Sequence, residues 1–136
     1  MNYWVFTIGM RDLRPPTEWL LRWPHHVHES WFARTKRPSG VAAGDRAIVY
    51  GSLGTGFLAA VEIVSHEPLA NSHDRFPWKL EHKLLVYKAA DDHVALPSAA
   101  GINPKRIARG PHTMIEADEY HAALRELVAA AARSAA

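Results

Sequence analysis

The sequence contains no cysteine. That absence excludes disulfide scaffolds, thiolate zinc sites and cysteine nucleophiles, and leaves nine histidines as the soft metal ligands. Long apolar runs are also missing, since none approaches the roughly 20 residues that span a bilayer. The opening run from Met1 to Leu13 has no positively charged n-region and no small-residue cleavage site. These features predict a cytoplasmic chain with no membrane partner. Charge of one sign is scarce: 16 Lys and Arg against 14 Asp and Glu give a formal net charge of +2, without a dense basic run. Such a chain has few counterions to release from a polyanion, so any nucleic acid contact depends on a shaped site. The same mild charge also serves solubility alone.

What is present is a hydrophobic fraction of 48% in 136 residues, enough for one buried core and one domain spanning residues 1–136. Tyr3 to Ile8 is an aromatic and β-branched run closed by Gly9, which predicts a buried strand. Pro15 and Pro16 suit a first helical turn, and Trp19, Leu20 and Trp23 recur at helical spacing until Pro24, predicting a short helix over 15–23. From His25 to Ala43 the pattern breaks into a long irregular segment, and loops of that length are often functional. Gly44-Asp45 signals a turn, followed by a strand Arg46 to Tyr50, a glycine-rich connection and a partner strand Phe57 to Val64. After a polar stretch from Ser65 to Arg75, Leu80, His82, Leu84 and Val86 alternate with Lys79, Glu81, Lys83 and Leu85, as in a strand with one face inward. Pro97 to Asn103 predicts a helical turn, Arg106 to Ile115 a loop running into a short strand, and Glu116 to Ala132 a helix with a fraying alanine-rich end. Tyr120, Leu124 and Leu127 share one face of that helix, and Asp118 and Glu119 sit near its positive end. About five strands that do not alternate with helices disfavour a doubly wound parallel sheet. They fit an α+β arrangement, a mostly antiparallel sheet or barrel with helices at its ends.

The cluster His25-His26-Val27-His28-Glu29 has metal-ligand chemistry, but no second cluster at ligand spacing follows, and solvated loop histidines account for it better. The turn Gly51-Ser52-Leu53-Gly54-Thr55-Gly56 carries no lysine and lacks phosphate-loop spacing, so it reads as a hairpin turn. No pair of carboxylates is set apart from surface charge, and Lys36, Lys79 and Lys83 are not distinguished from one another. This assigns no catalytic residue, metal or cofactor. Five tryptophans stand out in so short a chain. Trp4, Trp19 and Trp23 have core periodicity and read as packing. Trp31 and Trp78 lie in or beside irregular segments, where an aromatic stacks on a flat ligand, worth about 1 to 3 kcal/mol per base, or caps a barrel end.

In the order of its elements the chain resembles the EVE family of the PUA-like superfamily, relatives of the YTH and ASCH domains. The residues that carry the resemblance are Tyr3-Trp4-Val5-Phe6, the run Gly44 to Tyr50, the strand Phe57 to Val64, Phe76-Pro77-Trp78-Lys79, Arg109-Gly110-Pro111, Ile115, and the closing helix with Asp118, Tyr120 and Leu124. The resemblance implies a PUA-like mixed, mostly antiparallel pseudo-barrel of five or six strands flanked by helices. It also implies an aromatic-lined pocket that takes a modified base of RNA or DNA. By position that pocket takes in Thr7, Gly9, Trp31, Tyr50, Gly51, Ser52 and Trp78. The chain departs from the family at Thr7-Ile8-Gly9-Met10, where a Lys-Ser-Glu-Pro-like stretch is usual, and from Trp31 to Gly40.

Three functional readings follow. In the first, Trp31 and Trp78 stack on the base, Gly9, Gly51 and Ser52 read its edge, and Arg34, Lys36 and Arg37 hold the adjoining phosphates. In the second, the chain is an ASCH-type amidohydrolase acting on a modified nucleoside, which requires Lys36, Thr7 and Glu62 to converge. In the third, the tryptophans are core and the domain is structural or binds a protein partner. The sequence leaves the oligomeric state open.

Overall fold

The computed structural model describes residues 1–8, 38–52, 55–70, 77–88, 94–108, 110 and 112–133, and the backbone of 29–32 and 134–135. The strands are β1 (Tyr3–Ile8), β2 (Glu29–Phe32), β3 (Arg46–Gly51), β4 (Gly56–Ile63), β5 (Leu69–Ala70), β6 (Trp78–Tyr87) and β7 (His112–Ile115). A 3-10 turn (Pro97–Ala100) and two α-helices, α1 (Pro104–Ile107) and α2 (Ala117–Ala135), complete the described elements. The sheet order is β2-β6-β4-β3-β1-β7, with β5 pairing on β6. β1 and β3 run parallel, with Tyr3 opposite Arg46 and Thr7 opposite Tyr50, while the other pairs are antiparallel. A parallel pair cannot be joined by a tight turn, which is why a long segment separates β1 from β3.

Strand alternation sends apolar side chains to both faces. One face gathers Val5, Ile48, Tyr50, Phe57, Ala60 and Ile115, and α2 covers it with Tyr120, Ala123, Leu127 and Ala130. Those positions recur every three or four residues, the spacing of one helix face, and the alanines let the helix approach the sheet closely. The other face gathers Trp4, Phe6, Ala47, Val49, Leu58, Val61, Ile63 and Leu80, with Ile8, Trp78, Leu84 and Tyr87 partly buried around them. Burying each large side chain contributes about 1.5 to 3 kcal/mol.

Polar groups fix how the elements meet. Asp45, only 3% exposed, accepts hydrogen bonds from the Asn2 N–H at 2.9 Å, the Trp4 indole Nε1–H at 3.0 Å and the Ala42 N–H at 3.0 Å. The carboxylate thus ties the start of β1 to the turn before β3, a turn that Gly44 enters with φ +90°. At the start of α2, the Glu119 carboxylate accepts from the Glu116 N–H at 2.9 Å, half of a capping box. Its other oxygen takes Arg106 Nη1–H at 2.7 Å, and Arg106 Nη2–H reaches the Met114 carbonyl at 3.0 Å. One guanidinium therefore joins α1, β7 and α2. Burial alone pushes the Glu119 carboxyl up, but the Glu116 hydrogen bond and the Arg106 charge outweigh it and hold the group below its ordinary value.

Gly56 is set by two constraints. Its φ is +83°, and a Cβ there would collide with the Ala95 carbonyl oxygen and stand 2.8 Å from Val94 Cγ1. The close approach exists because that carbonyl accepts the Phe57 N–H at 2.8 Å.

Four sequence expectations are corrected. The irregular segment from His25 to Ala43 contains β2, and the polar stretch from Ser65 to Arg75 contains β5. Both are too short to show alternation, and both exist through pairing with Trp78, Lys79 and their neighbours on β6. The predicted loop from Arg106 overlaps α1, whose start is set by Pro104 and by the Asn103 side chain accepting the Lys105 N–H at 3.0 Å. Finally, β6 does not keep one inward face. A register shift between Ala60 and Val61 of β4 leaves Leu80 and Leu84 with the second cluster and turns Val86 to the first. The helix read over 15–23 lies outside the described residues.

Candidate functional site

The parallel strands β1 and β3 end side by side. Thr7 stands opposite Tyr50 and Ile8 opposite Gly51, and the Ser52 N–H extends the ladder to the Ile8 carbonyl at 3.0 Å. The Ser52 carbonyl turns the chain back toward β4 by accepting the Thr55 hydroxyl at 2.9 Å. Ser52 is partly buried, and its own hydroxyl makes no hydrogen bond among the described residues. It is thus a donor and acceptor held at a strand end. Gly51 beside it is buried.

The other candidates divide by face. The Thr7 hydroxyl donates to the Ile107 carbonyl at 2.6 Å, which spends its proton on the end of α1. Tyr50 is 8% exposed in the helix-covered cluster, with its ring edge-on to Phe57 at a centroid distance of 5.9 Å. Trp78 is partly buried against the opposite cluster, whose rim also includes Ile8 and Tyr87. Burial pushes the Tyr87 phenol above its ordinary value. The backbone of Trp31 stands opposite Lys79, and that of Phe32 opposite Trp78. Thr7 and Tyr50 therefore keep company on one face, while on the other Ile8 and Tyr87 border the cluster toward the ends of β1 and β3 and Trp78 borders it at the opposite end of β6. Gly9 and Arg34 lie outside the described residues, as do Lys36 and Arg37.

Glu62 pairs with Arg46, which in turn stands opposite Tyr3. It is four rungs from the level of Thr7, about 13 Å along the strands. Its carboxylate lies 3.7 Å from Arg46 Nη2. Thr7 and Glu62 are not brought together at one strand end. Arg46 also lies against the Tyr120 hydroxyl without closing a well-formed hydrogen bond. Burial pushes that phenol up, and the guanidinium charge offsets part of the rise.

Sequence reasoning missed Lys88, which directly follows β6. It is 2% exposed, and its N–H donates to the Leu58 carbonyl at 2.9 Å, continuing the ladder. A buried ammonium is costly without compensating charge or dipoles, which makes it uncommon. A lysine just past a strand reads as solvated, so only the unbroken run through Val86 and Tyr87 pointed inward. His82, placed inward by alternation, is also 2% exposed. Among the described residues, no group of histidines and carboxylates could hold a metal ion, and the side chains of the 25–29 cluster lie outside them. No helix of the described residues is long and apolar enough to cross a membrane.

The curled mixed sheet with α2 packed on one face is the α+β pseudo-barrel of the PUA-like class. No family model and no curated protein matches the chain. Solved structures do. Atu2648 from Agrobacterium tumefaciens is similar over 93% of each chain, with a TM-score of 0.59 and 16% identity. PSPTO5229 from Pseudomonas syringae is similar over 90% of this chain and 97% of its own, with a TM-score of 0.60 and 15% identity. Human THYN1, solved in complex with DNA containing 5-methylcytosine, is similar over 93% of this chain and 98% of its own, with a TM-score of 0.55 and 13% identity. At these identities the likeness is one of fold.

Proposed function

We propose that this chain is an EVE-type nucleic acid-binding module that selects a modified base. The observation that carries the reading is the end-to-end likeness of fold to THYN1, a protein solved with 5-methylcytosine-containing DNA. The local geometry supports it. At the ends of β1 and β3, Ser52 offers an uncommitted hydroxyl, and at the other end of β6 Trp78 lies partly buried against the second cluster. In this reading the base stacks on Trp31 and Trp78, whose strands β2 and β6 pair at one end of the sheet. Selectivity then comes from unpaired polar groups when the wrong base enters, rather than from net charge. Arg34 holds an adjoining phosphate.

The test is an equilibrium titration with single strands that differ in one modified base, beginning with 5-methylcytosine against cytosine, at several salt concentrations. The reading predicts a preference for the modified strand that persists as salt rises. Equal affinities throughout would remove it.

A further inference from the structure

At the opposite end of β1 and β3 from Thr7 and Ser52, strand pairing sets three polar residues in one row. Tyr3 stands opposite Arg46, and Arg46 opposite Glu62, on β1, β3 and β4. Residues directly opposite share a sheet face, and Tyr3 packs against the helix-covered cluster, so the row faces α2. From α2, Tyr120 comes down on it. The Tyr3 and Tyr120 rings have centroids 4.8 Å apart, and Tyr120 is 0% exposed. The charges of Arg46 and Glu62 both reach the Tyr120 phenol.

These groups converge without satisfying one another. Arg46 Nη2 and Glu62 Oε1 are 3.7 Å apart, too far for a direct hydrogen bond. Arg46 Nε and the Tyr120 hydroxyl are buried, and neither has a hydrogen-bond partner among the described residues. Folded interiors pair such groups or bridge them through a buried water with two to four polar neighbours. A polar contact slightly longer than about 3.5 Å is the usual sign of such a bridge.

The charges present decide what fits between them. Arg46 is positive and Glu62 beside it negative, so the row is close to neutral and offers no net attraction to an ion. An anion would gain the Arg46 Nε–H and the Tyr120 O–H but would also face the Glu62 carboxylate. A cation would face the two donors. A small neutral molecule that accepts two hydrogen bonds and donates one suits all three groups, and water is that molecule.

We infer that an ordered water is built into this junction, accepting from Arg46 Nε–H and Tyr120 O–H and donating to the Glu62 carboxylate. α2 is then docked in two ways. Ala123, Leu127 and Ala130 pack against the sheet by apolar contact, whereas Tyr120 is held through a hydrated polar seam. The seam stands apart from the residues proposed to bind a base and does not depend on them.

Two measurements test this on the wild-type protein. The first is a crystal structure at a resolution that shows ordered solvent. It is expected to show one water within about 2.7 to 3.2 Å of both Arg46 Nε and the Tyr120 oxygen. The second is a rotating-frame Overhauser spectrum of isotope-labelled protein, in which the sign of a cross peak separates contact with water from proton exchange. A contact peak between water and the Arg46 Nε–H is expected. Tyr120→Phe should keep that peak, because Arg46 and Glu62 still hold the water. Tyr120→Phe combined with Glu62→Leu should lose it, since a single partner does not retain a buried water. Arg46 Nε bonded directly to Glu62 or Tyr120 in the crystal, or an ion in place of the water, overturns the inference. So does a wild-type spectrum without the contact peak, or a peak that survives in the double variant.

Discussion

Replacing Asp45 by alanine removes the acceptor for three N–H groups at once. The Trp4 indole is the worst affected, because Trp4 is 5% exposed and no water replaces the lost carboxylate. Leaving one such donor buried and unpaired costs about 1 to 3 kcal/mol. Asn2 and Ala42 are exposed residues whose N–H groups water can partly recover, so they add about 1 kcal/mol each. The sum is about 3 to 5 kcal/mol, a large part of the 5 to 15 kcal/mol that typically holds a domain together. At this chain length it lowers Tm by roughly 10 to 20 °C. Asp45→Asn loses less, because one oxygen remains, but its amide turns donors toward donors. Urea unfolding of Asp45→Ala, Trp4→Phe and the double variant measures the term directly, and the two substitutions must couple, since Phe removes the indole donor that Asp45 serves. If Asp45→Ala unfolds within about 0.5 kcal/mol of wild type, the surface norm, the role assigned to this carboxylate is wrong.

Gly56→Ala is expected to destabilise by more than about 1 kcal/mol in the same assay, because positive φ and the Ala95 carbonyl both oppose a side chain. The Glu119 carboxyl is held below its ordinary value, so its contribution is full above the unfolded-state pKa and is lost as pH falls through the lowered folded value. Glu119→Gln should therefore show a shallower loss of Tm with acid, and parallel acid profiles for the two proteins would contradict that. Trp4→Ala removes a buried ring and should cost about 3 to 5 kcal/mol of stability. Trp31→Ala should instead weaken binding of a modified strand about tenfold to a hundredfold while leaving Tm nearly unchanged, and early melting of Trp31→Ala would place that ring in the core.

Much of the sheet can be read from the chain because its punctuation is local. Gly44-Asp45, Gly51 and Gly56 bracket two apolar runs, so β3, β4 and their hairpin are legible, as are β1 and α2. The pieces that escape are those whose cause lies elsewhere in the chain. β2 and β5 have four and two residues and are strands only because β6 offers them an edge. The face swap on β6 follows from a register shift opposite Ala60 and Val61, which its own alternation does not encode. Asp45 reads as a turn residue because its donors include Asn2 and Trp4, more than forty residues upstream. At the candidate site, the grouping of Thr7 with Tyr50, and of Ile8 with Gly51, depends on parallel pairing of β1 with β3, and no local pattern specifies parallel partners. The resemblance could place these residues in one region. It could not divide them between the two faces of the sheet, nor find that the Thr7 hydroxyl is committed to α1.

The measurement closest to the central claim is the ratio of dissociation constants for two single strands differing only by one 5-methyl group on cytosine, taken at low and near-physiological salt. Base selection by a shaped site predicts a ratio well above one that is nearly the same at both salts, because the counterions released by the phosphates cancel between strands. A ratio near one at both salts would contradict recognition of this modification, and a ratio near one across a panel of modified bases would contradict base selection by this domain.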